Sequence, residues 1–348
     1  MMRAAVVGGA GYAAGELLRL LDDHPHLEVT QVTSERLAGK RVDAMHPPLR
    51  GRTDLCFTSR ERLESTDVIF AALEHGESSR EFESLRAAAP ILVDLSADFR
   101  LRDPDAYRAW YGWPHPCPEA LANSVYGLAE LHRECLRSAA LIATGGCLAT
   151  ATILALAPLA AAGVIDRSSP LVVDALVGSS AAGAQPNAAT HHAHRSGELR
   201  SYAPTRHRHT AEVVQELGFR DGEPEVAFSA TSVEAVRGVL VTAHVFLDDD
   251  LTERDVWGLY RERFAPEPFI RVVKSSTGLH RSPNPKLLSG TNFCDIGFER
   301  DPHSRRLVVT SALDNLVKGA AGQAVQALNL RCGWDERTAL GFTGLYPL

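Results

Sequence analysis

The sequence lacks the marks of several protein classes. Its six cysteines (Cys56, Cys117, Cys135, Cys147, Cys294 and Cys332) contain no C-x-x-C pair. That argues against a cysteine zinc site or a disulfide framework and fits a reducing cytoplasm. His191, His192, His194, His207 and His209 crowd one region. No His-Glu-x-x-His spacing accompanies them, so no metal is expected. Basic charge is not in excess: the formal net charge is −7, whereas a nucleic-acid binder usually shows a basic patch or stripe. The longest apolar stretch, Leu148 to Val164, is Ala-rich and interrupted by Pro158. It reads as a buried helix rather than a membrane span. The N-terminal residues run straight into a strand and a glycine turn, so no signal peptide is expected. There is no internal repeat and no low-complexity tract. A chain of 348 residues has room for two domains and a large core.

What is present centres on Ala143-Thr-Gly-Gly-Cys147-Leu-Ala-Thr-Ala-Thr-Ile-Leu. A strand-like run, Ala140 to Ala143, enters two glycines; the cysteine follows, then a helical stretch. Cys147 is thereby expected at a helix N-terminus, where backbone N–H groups and the helix dipole favour an anion. A thiolate is the reactive form of cysteine, and such a setting lowers a thiol pKa. Gly145 and Gly146 permit close approach to the sulfur. The competing reading is a small buried cysteine at a tight turn.

The N-terminal region reads as a dinucleotide-binding β-α-β unit. Ala4–Gly8 is a short buried strand, Gly8-Gly-Ala-Gly11-Tyr12 a turn, Glu16–Leu21 helical, and Leu27–Val32 a second strand. Glycines between strand and helix suit a pyrophosphate over a helix N-terminus. NAD enzymes usually carry an acidic residue after the second strand. Here Thr33, Ser34 and Arg36 suit a 2′-phosphate and favour NADP, with Glu35 dissenting. Asp67–Leu73 and Ile91–Leu95 continue the alternation. Beyond their ends lie Ser78, Ser96 and Arg100, where ligands of open α/β sheets bind. Arg100 suits an oxyanion by its planar fork, or a surface ion pair.

After the Cys147 helix the chain turns β-rich, with strand-like Pro170–Val177, Val226–Ser229, Val239–Phe246 and Leu307–Ala312. This suggests an α+β substrate and dimerisation domain. His207 and His209 are candidates for a general acid/base. Arg237 suits a carboxylate clamp, and His244 reads as a core or surface histidine.

Six motifs occur in one order: Gly8-x-x-Gly11-Tyr12 with Glu16-Leu17, Asp94-Leu-Ser-Ala-Asp-Phe-Arg100, Tyr126-Gly-Leu-x-Glu130, Gly146-Cys147-x-x-Thr150, His207-Arg-His209-Thr, and Asp314-Asn315-Leu-Val-Lys-Gly-Ala-Ala-Gly-Gln-Ala. By these the chain resembles the N-acetyl-γ-glutamyl-phosphate reductase family, relatives of aspartate-semialdehyde dehydrogenase, almost end to end. The resemblance implies an α/β Rossmann-type NADP-binding domain at 1–146, an α+β catalytic and dimerisation domain at 147–312, and a C-terminal segment, 313–348, packing back on the first domain. It also implies a homo-oligomer.

For the chemistry, the resemblance implies that the Cys147 thiolate attacks an acyl phosphate. A thioester forms, and NADPH reduces it to an aldehyde. A histidine moves the protons, His209 in preference to His207, and Asn315 lies near the nicotinamide. The family's usual Asn-Pro-Gly-Cys-Tyr-Pro-Thr is here Thr144-Gly-Gly-Cys147-Leu-Ala-Thr, and an expected arginine is replaced by Ala184. These departures resemble the subgroup acting on aminoadipate or glutamate phosphates tethered to a small acidic amino-group carrier protein. The stretch carrying Arg195, Arg200, Arg206 and Arg208 suits an acidic partner, or is a solvated basic loop. The alternatives are the free N-acetyl substrate, a non-catalytic NADP-binding protein and a cysteine hydrolase.

Overall fold

Short runs of Ala, Val, Ile and Leu, apolar at every position, cannot present a polar face to water. They form strands covered on both sides. A computed structural model describes residues 1–219, 224–248 and 251–347, and these divide into two compact units. The first comprises 1–145, 183–185 and 320–341, and the second 146–182, 186–319 and 342–348.

The first unit is built on six parallel strands: β1 (Met2–Val7), β2 (Leu27–Val32), β3 (Val68–Ala71), β4 (Ile91–Asp94), β5 (Ser124–Tyr126) and β6 (Leu141–Ala143). Their order is β2-β1-β3-β4-β6-β5. Register is set by pairs such as Val6 with Phe70, Val93 with Phe70, and Val93 with Ile142. The helix Tyr12–Asp22 buries Leu17, Leu18, Leu20 and Leu21. The helix Gly322–Arg331 packs on the helix Ala129–Leu136 and is buried from Gly322 to Leu330 despite carrying Gln323, Gln326 and Asn329. Those amides are satisfied. Gln326 donates to Glu130 at 3.2 Å and to Glu336 at 2.9 Å, and Asn329 donates to the Thr338 carbonyl at 3.0 Å. Buried amides are tolerated only when bonded in this way.

The second unit is a mixed sheet: β7 (Leu171–Val177), β8 (Leu199–Ala203), β9 (Val226–Val233), β10 (Val239–Phe246), β11 (Ile270–Val272), β12 (Cys294–Arg300) and β13 (Arg306–Leu313). Their order is β11-β12-β13-β10-β7-β9-β8. β10 runs antiparallel to both β13 and β7, while β7 and β9 are parallel. Burial alternates residue by residue along β7 and β10. One face packs on the helix Cys147–Ala162, which is buried from Leu148 to Leu159. The opposite face carries half-buried Val172, Leu176, Leu240, His244 and Val308.

The expected C-terminal segment 313–348 divides between the units. Leu313 completes β13 and the Asp314 carboxylate bonds within the second unit, so only 320–341 belongs to the first. β5, β8, β11 and β12 have no counterpart in the sequence reading. β8 is an exposed edge strand, and β12 carries Gly297 and acidic residues, so neither shows an apolar pattern.

Candidate active site

Cys147 opens its helix behind Gly146, which is extended (φ −69°, ψ 145°) and provides no side-chain cap. The Gly146 N–H donates instead to the Glu212 carboxylate at 2.9 Å. Glu212 is fully buried and lies three residues after His209 on the helix His209–Glu216. That spacing places both on one helix face. His209 Nε2 is 3.8 Å from Glu212 Oε1, and its imidazole fills the space a side chain at 146 would take. One helical turn thus delivers a buried imidazole and a buried carboxylate to the residue preceding the cysteine. Cys147 itself remains partly accessible, and no disulfide forms among the described residues.

His207 sits beside this cluster but is differently held. Its Nδ1 accepts the His209 N–H at 3.3 Å, and its Nε2 lies 3.2 Å from the Tyr202 hydroxyl. It stacks on Phe228 with ring centroids 5.5 Å apart. Burial, with the Arg208 charge secondary, pushes His207 down to about 4. At neutral pH it is an uncharged ring with both nitrogens engaged. Tyr202 is 42% exposed as a residue. Its hydroxyl is covered, and burial first, then the Cys147 charge, push it up to about 12.

The arginines are largely spent within the protein. Arg195, expected to contact substrate, bonds Glu198, the Ser232 hydroxyl and the Val233 carbonyl and so braces β9. Arg100 is buried; its Nε donates to the Thr144 carbonyl at 2.7 Å. It steadies the end of β6 just before Gly145, whose N–H donates to Gln323 at 2.5 Å. Arg237 is 30% exposed and oriented by Asp314 at 3.0 Å. Asn315 accepts from the Gly238 N–H at 2.8 Å and donates to Ser180 at 2.9 Å. In this structure its amide fixes those loops. Among the described residues no cluster of His, Cys, Asp and Glu suits a metal ion.

In the first unit, the glycine turn fits a nucleotide. Gly8 has φ +82°, and a Cβ there would meet the Ala72 carbonyl oxygen at 2.6 Å. The Gly9 N–H donates to Thr33 O at 2.8 Å, and its carbonyl accepts from His46 at 2.7 Å. Gly11 caps the helix Tyr12–Asp22 without a side-chain acceptor and faces open space. The first-turn N–H groups are thus presented to an anion. Tyr12 is exposed beside them. Thr33 is buried, its hydroxyl 3.3 Å from the Gly8 N–H, so it frames the turn. Ser34 is half-buried and Arg36 exposed. Glu35, the dissenting acid, accepts from the Arg60 N–H at 2.9 Å and from its guanidinium at 3.3 Å.

Ser78 is buried near Asp94. Burial first, then the Asp98 charge, push the Asp94 carboxyl up to about 7, against the opposing pull of Ser78, Ser96 and Arg100. Sequence reading assigned no role to Glu212, Tyr202 or Gly319. The His209-Thr-Ala-Glu212 spacing is a usable signal for the first, and Gly319 lies within the Asp314-Asn315-Leu-Val-Lys-Gly motif.

Comparison with known proteins agrees with this architecture. Residues 3–139 match the family described as semialdehyde dehydrogenase, NAD binding domain, and residues 147–315 match semialdehyde dehydrogenase, dimerisation domain. A putative LysW-L-2-aminoadipate 6-phosphate reductase of Thermomicrobium roseum is 55% identical over 351 residues, covering 100% of both chains. The LysW-L-2-aminoadipate 6-phosphate reductase of Deinococcus radiodurans is 52% identical, over 99% of this chain and 97% of that one. Among solved structures, aspartate semialdehyde dehydrogenase with NADP from Candida albicans superposes with a TM-score of 0.72 at 16% identity, over 95% of this chain and 98% of that one. Aspartate semialdehyde dehydrogenase II from Vibrio cholerae gives 0.71 at 15%, over 96% and 98%. At such identities the likeness is one of fold.

Proposed function

The chain belongs to the semialdehyde dehydrogenase family, and from that premise we propose that it is an NADPH-dependent acyl-phosphate reductase. Its substrate is the ω-acyl phosphate of aminoadipate or glutamate, tethered to a small acidic amino-group carrier protein. The product is the semialdehyde of a lysine- or arginine-type biosynthesis. The observation that carries the reading is the cluster at the helix start: partly accessible Cys147, with His209 and Glu212 against the residue before it.

His209 takes the thiol proton, and the sulfur attacks the acyl-phosphate carbonyl. The carbon–oxygen bond to phosphate breaks, leaving a thioester on Cys147. Glu212 holds the imidazole in place and supports its positive charge. The bound nicotinamide nucleotide supplies hydride. When the carbon–sulfur bond breaks, His209 returns a proton to the sulfur. Arg237, oriented by Asp314, suits an anionic group of the substrate.

Several observations support the finer points. Gly8, Gly11 and Tyr12 hold the pyrophosphate end of the cofactor; Ser78 stays in the cofactor set by its place beyond a strand end, and Asn315 by resemblance. Ser34 and Arg36 favour NADP, because Glu35 is already engaged by Arg60. The carrier tether rests on the names of the relatives and on exposed Arg206 and Arg208, a basic surface for an acidic partner. A homo-oligomer accords with the half-buried apolar residues on the open face of the second sheet and with the dimerisation-domain match. The reading places the enzyme in the cytoplasm, whose reducing conditions keep a nucleophilic thiol active.

Incubating the protein with a carrier-linked acyl phosphate, without NADPH, should leave an acyl adduct on the Cys147 peptide by mass spectrometry. Cys147→Ser should lose both adduct and turnover while still quenching NADPH fluorescence. Retained turnover in that variant would overturn the mechanism. Equal efficiency on free N-acetylglutamyl phosphate would overturn the carrier assignment.

A further inference from the structure

The segment between β13 and the helix Gly322–Arg331 is a π-helical turn, Val317–Ala321. Such turns are rare and concentrate at functional sites. This one is held at its base by Asp314. The Val317 and Gly319 amides donate to the Asp314 carbonyl at 3.3 and 3.0 Å. The Asp314 carboxylate, fully buried, accepts from the Leu316 and Gly290 amides at 2.8 and 2.6 Å and from Arg237 at 3.0 Å.

So anchored, the turn brings Gly319 against the cysteine. A Cβ at 319 would lie 2.5 Å from Cys147 Cβ, 3.1 Å from its Cα and 3.3 Å from Leu313 Cδ1. The two nearest, the cysteine's Cβ and Cα, are fixed to the backbone; only Leu313 Cδ1 is a side-chain end. The cysteine's Cα and Cβ belong to the first turn of a helix buried from Leu148 onward, and Leu313 is itself fully buried. Gly319 is not among the glycines with positive φ, so its backbone conformation is open to any residue. What the position requires is the missing side chain.

We infer that Gly319 is a positioning residue for the Cys147 nucleophile. By having no Cβ it lets the π-turn close on the cysteine's Cα–Cβ bond and fix where the sulfur stands. Gly146 makes the matching concession to the imidazole of His209. The same Asp314 that orients Arg237 sets this turn, so the anion clamp and the seat of the nucleophile share one anchor. The inference rests on the reading of Cys147 as the nucleophile.

The test uses Gly319→Ala in the full chain, alone and combined with Cys147→Gly. The single variant should bind NADPH as wild type does but lose about a hundredfold in kcat, the scale of a misplaced reacting atom. Its rate of Cys147 alkylation by iodoacetamide, followed by peptide mass, should change as well. In the Cys147→Gly background the same substitution should lower Tm by less, because the atom it strikes is gone. If Gly319→Ala alone does not fold, recovery of folding in the double variant supports the inference. Wild-type kcat and alkylation, an equal loss of Tm in both backgrounds, or failure of both variants to fold would overturn it. Turnover retained in Cys147→Ser would instead refute the nucleophile assignment, while alkylation and the Tm cycle still report on the seat.

Discussion

The two units assemble their functional groups in opposite ways. In the first, the candidate cofactor cradle is written within a few consecutive residues: Gly8, Gly9, Gly11 and the helix that follows. In the second, Cys147, His209, Glu212 and Gly319 are drawn from three separate stretches of chain. A parallel sheet with short β-α turns places ligands at strand ends by local geometry. A mixed sheet with a buried central helix places them through tertiary packing. Each unit also holds a group that burial drives toward its neutral form. Asp94 in the first is pushed up to about 7 and His207 in the second down to about 4, burial leading in both.

The largest effect that sharpens this contrast separates the two histidines. His209→Asn should lower kcat/KM by about 10² to 10⁴-fold, the span of general acid–base catalysis. His207→Gln should cost less than about tenfold, because that ring acts through packing and its bonds to Tyr202 and His209. Equal losses in steady-state assays would erase the distinction drawn between them.

A smaller effect probes the local cradle. Arg36→Ala should weaken NADPH binding about tenfold, the scale of a charge-assisted hydrogen bond at an exposed site. NADH binding should stay unchanged in the same fluorescence titration. A parallel loss for both nucleotides would show that Arg36 does not read the 2′-phosphate.

The smallest effect is in stability. A carboxyl whose pKa is raised on folding takes up a proton, so the Asp94 contribution is lost as pH rises from about 4 toward about 7. His207, whose pKa is lowered on folding from 6.5 to about 4, releases a proton. Its contribution is lost as pH falls through that window. Thermal scans should therefore show Asp94→Asn gaining on wild type between pH 5 and pH 8, and His207→Gln gaining between pH 7 and pH 4. Variants that track wild type across both windows would remove the contrast.

Much of the first sheet is readable because strands such as Ala4–Val7 and Ile91–Val93 are apolar at consecutive positions and buried, whereas the short β5, Ser124–Tyr126, shows no such run. β10 and β13 were equally plain. β8 was not, since Leu199–Ala203 is almost wholly exposed and takes its shape from pairing with β9. The cysteine turn was legible because glycine, nucleophile and helix are adjacent. The partners were less so. His209 is singled out among several histidines only by the His207-Arg-His209-Thr resemblance, and its reach to Gly146 depends on how its helix packs on that of Cys147. Arg195 and Arg100 look like anion ligands by residue type. Their carbonyl, hydroxyl and carboxylate acceptors lie at positions no local pattern reveals.

A single acidic side chain, Glu212, grips the amide just ahead of the sulfur and stands beside the His209 ring. The chemistry is therefore not portable in pieces. An engineer transplanting the thiol and its imidazole into another scaffold would have to bring this acid too, together with the two side-chain-less positions that make room for them. Grafts that omit any of these should yield a reactive cysteine without a working reductase.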